Sequence, residues 1–172
     1  MTRFRVLVAD DEPLARGMVA TLLRDDEEVD DVLECGDAKA ARALIAAHHP
    51  DIVFLDIEMP EVTGLDLAED LSDGGPIVVF VTAFSRYATD AFEVDASDYV
   101  LKPFTDERFA EALQRAKRRV RERRLGELAN QLASLSSELR PAEARAVEER
   151  RERRRRLSEA ARVQAQRSHH AC

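Results

Sequence analysis

Five residues of this 172-residue chain are of types that together handle a phosphoryl group: Asp10, Asp11, Asp56, Thr82 and Lys102. Each follows or ends a short apolar run. Asp10 and Asp11 come after Phe4-Arg-Val-Leu-Val-Ala9, Asp56 after Ile52-Val-Phe-Leu55, Thr82 after Ile77-Val-Val-Phe-Val81, and Lys102 after Asp98-Tyr-Val-Leu101. Several carboxylates converging on one pocket make a hard-oxygen site suited to Mg²⁺, which takes one or two carboxylates and keeps waters. A cation there neutralises an incoming phosphoryl group and orients it for in-line attack. An aspartate with its carboxylate free can serve as the nucleophile and become an acyl phosphate. A lysine ammonium and a threonine hydroxyl can hold the phosphoryl oxygens. Taken singly, each residue has a plainer reading: a strand-end cap for the aspartates, a solvated charge for Lys102.

This chemistry needs the four runs to be strands with their carboxyl ends on one rim. Four consecutive apolar residues such as Ile52–Leu55 read as a strand buried on both faces, the mark of a parallel sheet. Between the runs lie helical patterns. Pro13 opens a helix with Leu14, Met18, Val19, Leu22 and Leu23 at helical spacing. Gly36-Asp37 caps an alanine-rich helix over Ala38–Ala47, with Ala40, Ala41, Leu44, Ile45 and Ala47 expected inward. Gly64–Leu71 and Tyr87–Phe92 are shorter helices, and Thr105 caps the last. The acids Asp25 to Glu28 read as a solvated loop. Val29, Val32 and Leu33 suggest a further strand, entered through acids and so expected near an edge, and with it strand and helix alternate five times over short connections, which predicts a parallel sheet with helices on both faces. Ligand-binding groups in such sheets gather outside the carboxyl ends of the strands.

Charged residues make up 35% of the chain, and its net charge of −8 conceals a division. Residues 1–110 carry 25 Asp/Glu against 9 Lys/Arg, whereas residues 111–172 carry 9 against 17. Two physically different segments are therefore expected. No apolar run reaches the roughly 18 residues of a membrane span, the N-terminus lacks signal-peptide organisation, and two cysteines make no disulfide framework. A cytoplasmic setting without membrane partners is the expectation.

The landmarks, taken in order, resemble the receiver domain of two-component response regulators: Asp10-Asp11, Asp56 with Met59-Pro60, Thr82-Ala83, and Tyr99 with Lys102-Pro103-Phe104. The runs Asp10-Asp-Glu-Pro-Leu-Ala-Arg16 and Thr82 to Phe104 are similar to the LytR/AlgR class. The resemblance implies a flavodoxin-like, doubly wound α/β fold whose five-stranded sheet has the order 2-1-3-4-5. It makes Asp56 the acceptor of a phosphoryl group from a histidine kinase. Asp10 and Asp11 become the Mg²⁺ pocket, with Asp11 the more direct ligand, and Glu58 offers its backbone carbonyl. Thr82 and Lys102 contact the phosphoryl group, Tyr99 is the aromatic switch position, and Lys102-Pro103 is a cis peptide. Such a domain catalyses its own phosphorylation and hydrolysis but is not a free-standing enzyme.

The resemblance covers a receiver over 1–122 and leaves 123–172 as a helical tail. The LytR/AlgR class carries a β-rich DNA-binding domain, and no β-pattern follows Arg118. Phe109, Leu113, Ala116 and Val120 form one apolar stripe. Leu125, Leu128, Leu132, Leu135 and Leu139 then recur at spacings of 3, 4, 3 and 4, a partial coiled-coil seam that predicts a homodimer. Arg140-Pro141 is expected to interrupt it. Beyond lies an arginine-rich stretch, with Val147, Leu157 and Val163 its only large apolar residues. Arginines can grip nucleic-acid phosphates. With no aromatic or groove-reading motif beside them, a solvated helix is favoured over nucleic-acid binding, and a transcription regulator binding DNA through this tail is the alternative function. A terminal His169-His170-Ala-Cys172 is expected to be a plain tail.

Overall fold

The structure, a computed structural model, describes residues 3–71 and 74–169, with side chains at all of these except 89, 92, 137–146 and 160–169. Five strands alternate with helices: β1 (Phe4–Ala9), α1 (Pro13–Arg24), β2 (Val29–Cys35), α2 (Ala38–His48), β3 (Ile52–Leu55), α3 (Gly64–Asp70), β4 (Ile77–Thr82), α4 (Ala88–Glu93), β5 (Asp98–Leu101) and α5 (Asp106–His169). They form one parallel sheet in the order β2-β1-β3-β4-β5.

Burial explains the order. Every residue of β3 and β4 is buried, as required of strands covered on both faces, whereas edge strand β2 has none buried. Alternate side chains feed two cores. Val6, Val8, Ile52, Phe54, Val79 and Val81 meet α1 and α5 on one face. Leu7, Ala9, Val53, Leu55, Val78 and Phe80 meet α2, α3 and α4 on the other. The stripe expected on α5 packs there: Phe109, Leu113, Ala116 and Val120 are all buried, and the Phe109 ring lies 5.0 Å from that of Phe54.

The helix ends follow their capping residues. Asp37 accepts the Ala40 N–H at 2.7 Å, and Thr105 Oγ1 accepts the Arg108 N–H at 3.2 Å. Thr63 and Asp66 satisfy one another's backbone donors in a capping box at the start of α3. Lys102-Pro103 is cis.

Several expectations need correction. The helix expected over Tyr87–Phe92 is α4 at Ala88–Glu93, and a 3-10 turn at Ser85–Tyr87 leads into it. Leu14, Met18 and Ala47 are exposed, because one face of α1 and the last turn of α2 point off the sheet. The acids Asp25 to Glu28 are not a simple solvated loop. Lys117, on α5 and fully buried, donates to both oxygens of Asp26 at 2.6 Å and to Glu28 Oε2 at 2.9 Å, and Arg121 also bonds Glu28. Two of the four acids therefore anchor the last helix, since a buried ammonium demands anionic partners.

The chain divides into two compact units between Arg123 and Arg124. The helical assignment runs on through Arg140-Pro141, so the proline does not end the helix. Within the second unit, Leu125, Leu128, Leu132 and Leu135 are exposed. The side chains of Leu139 and Val163 and residues 170–172 lie outside the described set.

Candidate functional site

Parallel register brings the carboxyl ends of β1, β3, β4 and β5 to one rim. Ala9 pairs with Leu55, Leu55 with Phe80, and Thr82 with Leu101. Each strand's next residue is held by its neighbour's ladder: the Asp56 N–H donates to the Ala9 carbonyl at 2.9 Å, and the Lys102 N–H to the Thr82 carbonyl at 2.8 Å. Asp10, Asp56 and Lys102 are thus placed by backbone bonds before any side-chain attraction acts.

Their side chains converge. Lys102 Nζ donates to Asp10 Oδ2 at 2.7 Å and to Asp56 Oδ2 at 3.1 Å. Asp10 and Asp56 are buried, Asp11 is exposed, and carboxylate oxygens of all three lie within 4.8 Å of one another. Burial raises the Asp10 carboxyl above its ordinary pKa, against the opposing bonds from Lys102 and the Glu12 N–H. For Lys102, burial favours loss of the proton, but the bond to Asp10 and the charge of Asp56 prevail and raise its pKa. The ammonium is therefore firmly charged. One lysine faces two buried carboxylates and a third close by, an imbalance of negative charge that a hard divalent cation would offset.

Two buried polar atoms at this rim have no hydrogen-bond partner among the described residues: Asp56 Oδ1 and Thr82 Oγ1. Such orphans are rare in folded proteins and mark places where another group binds. The carboxylate donor set and the unpartnered Asp56 oxygen together fit a cation with an oxyanion beside it. Cation, oxyanion and nucleophilic carboxylate are the ingredients of phosphoryl transfer to aspartate.

The loops around the rim are tied together. Arg86, just after β4, pairs with Glu58 in the loop after β3, donates to the Tyr87 hydroxyl at 2.8 Å, and lies over the Phe84 and Tyr87 rings at 5.2 and 4.7 Å. The Tyr99 hydroxyl donates to the Phe84 carbonyl. Tyr99 thus touches the loop after β4, not the carboxylates, and burial followed by the charges of Asp56, Tyr87 and Asp90 raises its pKa.

Gly64, expected only to open a helix, also shapes the site. A Cβ there would lie 2.1 Å from the Asp56 carbonyl oxygen and 3.0 Å from Ile57 Cα, and the Gly64 N–H donates to the Ile57 carbonyl at 2.7 Å. The start of α3 packs directly on the backbone of Asp56, so only glycine fits. Its position eight residues after the aspartate, opening a helix, was the available signal. The Arg86–Glu58 pair left no such signal, because oppositely charged residues 28 apart are common in a chain so rich in charge.

Comparison with known proteins agrees with this geometry. Residues 6–114 match the response regulator receiver domain. The transcriptional regulatory protein BtsR of Salmonella typhi is 42% identical over 112 residues, 64% of this chain and 47% of its own length. The sensory transduction protein LytT of Bacillus anthracis is 42% identical over 116 residues, 66% of this chain and 47% of its own. The chain therefore spans about half the length of the curated relatives it matches. Among solved structures, the response regulatory domain of protein mrkE from Klebsiella pneumoniae has a TM-score of 0.65 at 29% identity, covering 69% of this chain and 98% of that one. Chemotaxis response regulator CheY4 of Vibrio cholerae has a TM-score of 0.60 at 25% identity, covering 67% and 99%. Receiver domains are phosphoacceptor switches that bind Mg²⁺ at an acidic cluster, and Asp10, Asp11 and Asp56 form such a group. The chain belongs to the response regulator receiver domain family of two-component systems, with relatives of the LytR/AlgR class.

Proposed function

We propose that this protein is a phosphorylation-controlled switch in which Asp56 accepts a phosphoryl group from a histidine kinase. The observation that carries this reading is the state of the Asp56 carboxylate. One oxygen is held by Lys102, and the other is buried without a partner beside Asp10 and Asp11. A carboxylate fixed at one end and unsatisfied at the other is poised as a nucleophile.

Asp10, Asp11, Asp56 and the Glu58 backbone carbonyl would hold Mg²⁺. When bound, the ion supplies charge neutralisation and in-line orientation of the phosphoryl group. Asp56 attacks phosphorus, the bond to the kinase's histidine nitrogen breaks, and an acyl phosphate forms. Lys102 has three N–H donors and commits two to Asp10 and Asp56, leaving the third for a phosphoryl oxygen. Thr82 Oγ1, unpartnered at rest, gains an acceptor when the phosphoryl group arrives. Its inward movement would open space for Tyr99, whose hydroxyl would leave the Phe84 carbonyl and alter the surface of α4, β5 and α5. Hydrolysis of the acyl phosphate resets the switch, and no other enzymatic activity is assigned.

The receiver is assigned to 1–122 and an output tail to 123–172, in a cytoplasmic protein that signals through changed assembly or partner binding. A second reading is transcription regulation, favoured by similarity to BtsR and by exposed arginines at 150, 151 and 153–156. A salt-dependent DNA titration of the full chain separates the two, since phosphate-driven binding weakens steeply with salt. The test of the main reading is incubation with a small phosphodonor and Mg²⁺. Wild-type protein should be modified once and Asp56→Asn not at all; equal modification of both would exclude Asp56.

A further inference from the structure

We infer that the leucine face of the second unit is the docking surface for a second copy of this chain, and that the dimer forms without phosphorylation. Leu125, Leu128, Leu132 and Leu135 are 67%, 53%, 59% and 56% exposed. Their spacings of 3, 4 and 3 place them on one stripe of the helix. They do not extend the stripe that packs in the first unit: Phe109, Leu113, Ala116 and Val120 are buried, and the positions that would continue their period, 123, 124 and 127, are Arg, Arg and Glu. The leucines therefore form a separate apolar face.

Charge distribution identifies the occupant. From Leu128 to Ser137 there is no charged residue, although residues 118–127 hold seven charges and residues 148–156 are all Glu or Arg. A solvated helix face has no reason to lose its charges just where its leucines cluster. A face buried against an identical apolar face does, because charges at the core of an interface would have to be desolvated and are depleted there. The seam is flanked by Ala129, Gln131, Ala133, Ser134 and Ser136, which are small or neutral and allow close approach. A partner bearing complementary charge is disfavoured by the same absence, since it would find nothing to pair with. The chain also carries a reason to dimerise: a long helix is held by burial of an apolar face rather than by propensity, and four leucines of the described tail offer one. With only about two heptads of seam, the expected affinity is micromolar rather than nanomolar.

Multi-angle light scattering of the full, unphosphorylated chain across a micromolar dilution series tests this. The expected result is a mass of twice 19.3 kDa at the upper concentrations. Leu128→Asp with Leu135→Asp should give a mass near one chain at every concentration, and the receiver's near-ultraviolet circular dichroism should remain that of the wild type. Asn130→Asp, off the seam, should stay dimeric, and so should Asp56→Asn. The inference is overturned if the wild type is a monomer, which would point to cover from within the chain, or if the double variant remains a dimer. It is also overturned if Asn130→Asp dissociates as fully as the double variant, or if dimer appears only after phosphorylation.

Discussion

Gly64→Ala should damage the site through its backbone alone. The added methyl would sit 2.1 Å from the Asp56 carbonyl oxygen and 3.0 Å from two further backbone atoms. Carbon and oxygen need ~3.3 Å or more, so the start of α3 or the Asp56 peptide must move by roughly 1 Å. None of the clashing atoms belongs to a flexible side chain, so the strain has no soft outlet. Overpacking of this kind costs ~1–3 kcal/mol. The 2.7 Å bond from the Gly64 N–H to the Ile57 carbonyl is then stretched or lost, at ~0.5–1.5 kcal/mol. Together these give a destabilisation of about 2–4 kcal/mol, read as a lower urea midpoint. Because the displaced peptide carries Asp56 itself, phosphorylation by a small phosphodonor should slow by ~10–100-fold in the protein that remains folded. Gly17→Ala is the control. Nothing lies within 4 Å of a Cβ there, and replacing a helical glycine should stabilise by ~0.5–1 kcal/mol. If Gly64→Ala matched the wild type in midpoint and rate, the close approach of α3 to Asp56 would not be what fixes the site.

Three further outcomes are expected. Thr82→Val should hold or raise stability by ~1 kcal/mol, because it removes a buried hydroxyl without a partner, yet it should abolish the phosphorylation-dependent change in assembly or partner binding; a clear loss of stability would mean the hydroxyl has a structural bond. Lys117→Met should destabilise by ~1–3 kcal/mol, less than for a fully buried pair because Asp26 and Glu28 can rehydrate; an unchanged urea midpoint would show that the cluster does not anchor α5. Glu28, held below its ordinary pKa of 4.5 by its bond from Lys117, and Asp98, whose bonds from Arg108 and the Tyr99 N–H outweigh its burial and hold it below 3.8, bind fewer protons folded than unfolded. Their contribution to stability is full above those values and is lost as pH falls through the lower folded pKa values. A urea midpoint that is flat from pH 5 to 3 would contradict it.

How much of this was legible in the sequence depends on whether the signal was local. Ile52–Leu55 and Ile77–Val81 announce buried parallel strands because a strand covered on both faces has no polar side. Once the alternation of strands and helices is read, the gathering of Asp10, Asp56, Thr82 and Lys102 at one rim follows from topology. Phe109 to Val120 revealed its buried face through helical period alone. What stayed hidden depends on distant partners. Asp26 and Glu28 look solvated until Lys117, some 90 residues away, is seen buried against them. Leu14 and Met18 fit a helical period but face off the sheet, since period places residues on a face without saying how wide the covered face is. Gly64 reads as the start of a helix; its spacing from Asp56 is visible in the sequence, but the collision of a Cβ there with the Asp56 backbone is not.

Mapping the modified residue decides whether Asp56 is the phosphoacceptor. After incubation with a small phosphodonor and Mg²⁺, the acyl phosphate would be trapped by reduction and located by peptide mass spectrometry. One modified site is expected, Asp56, and none when the metal is chelated. Modification at Asp10, Asp11 or a histidine, or undiminished modification of Asp56 without the metal, would contradict this expectation.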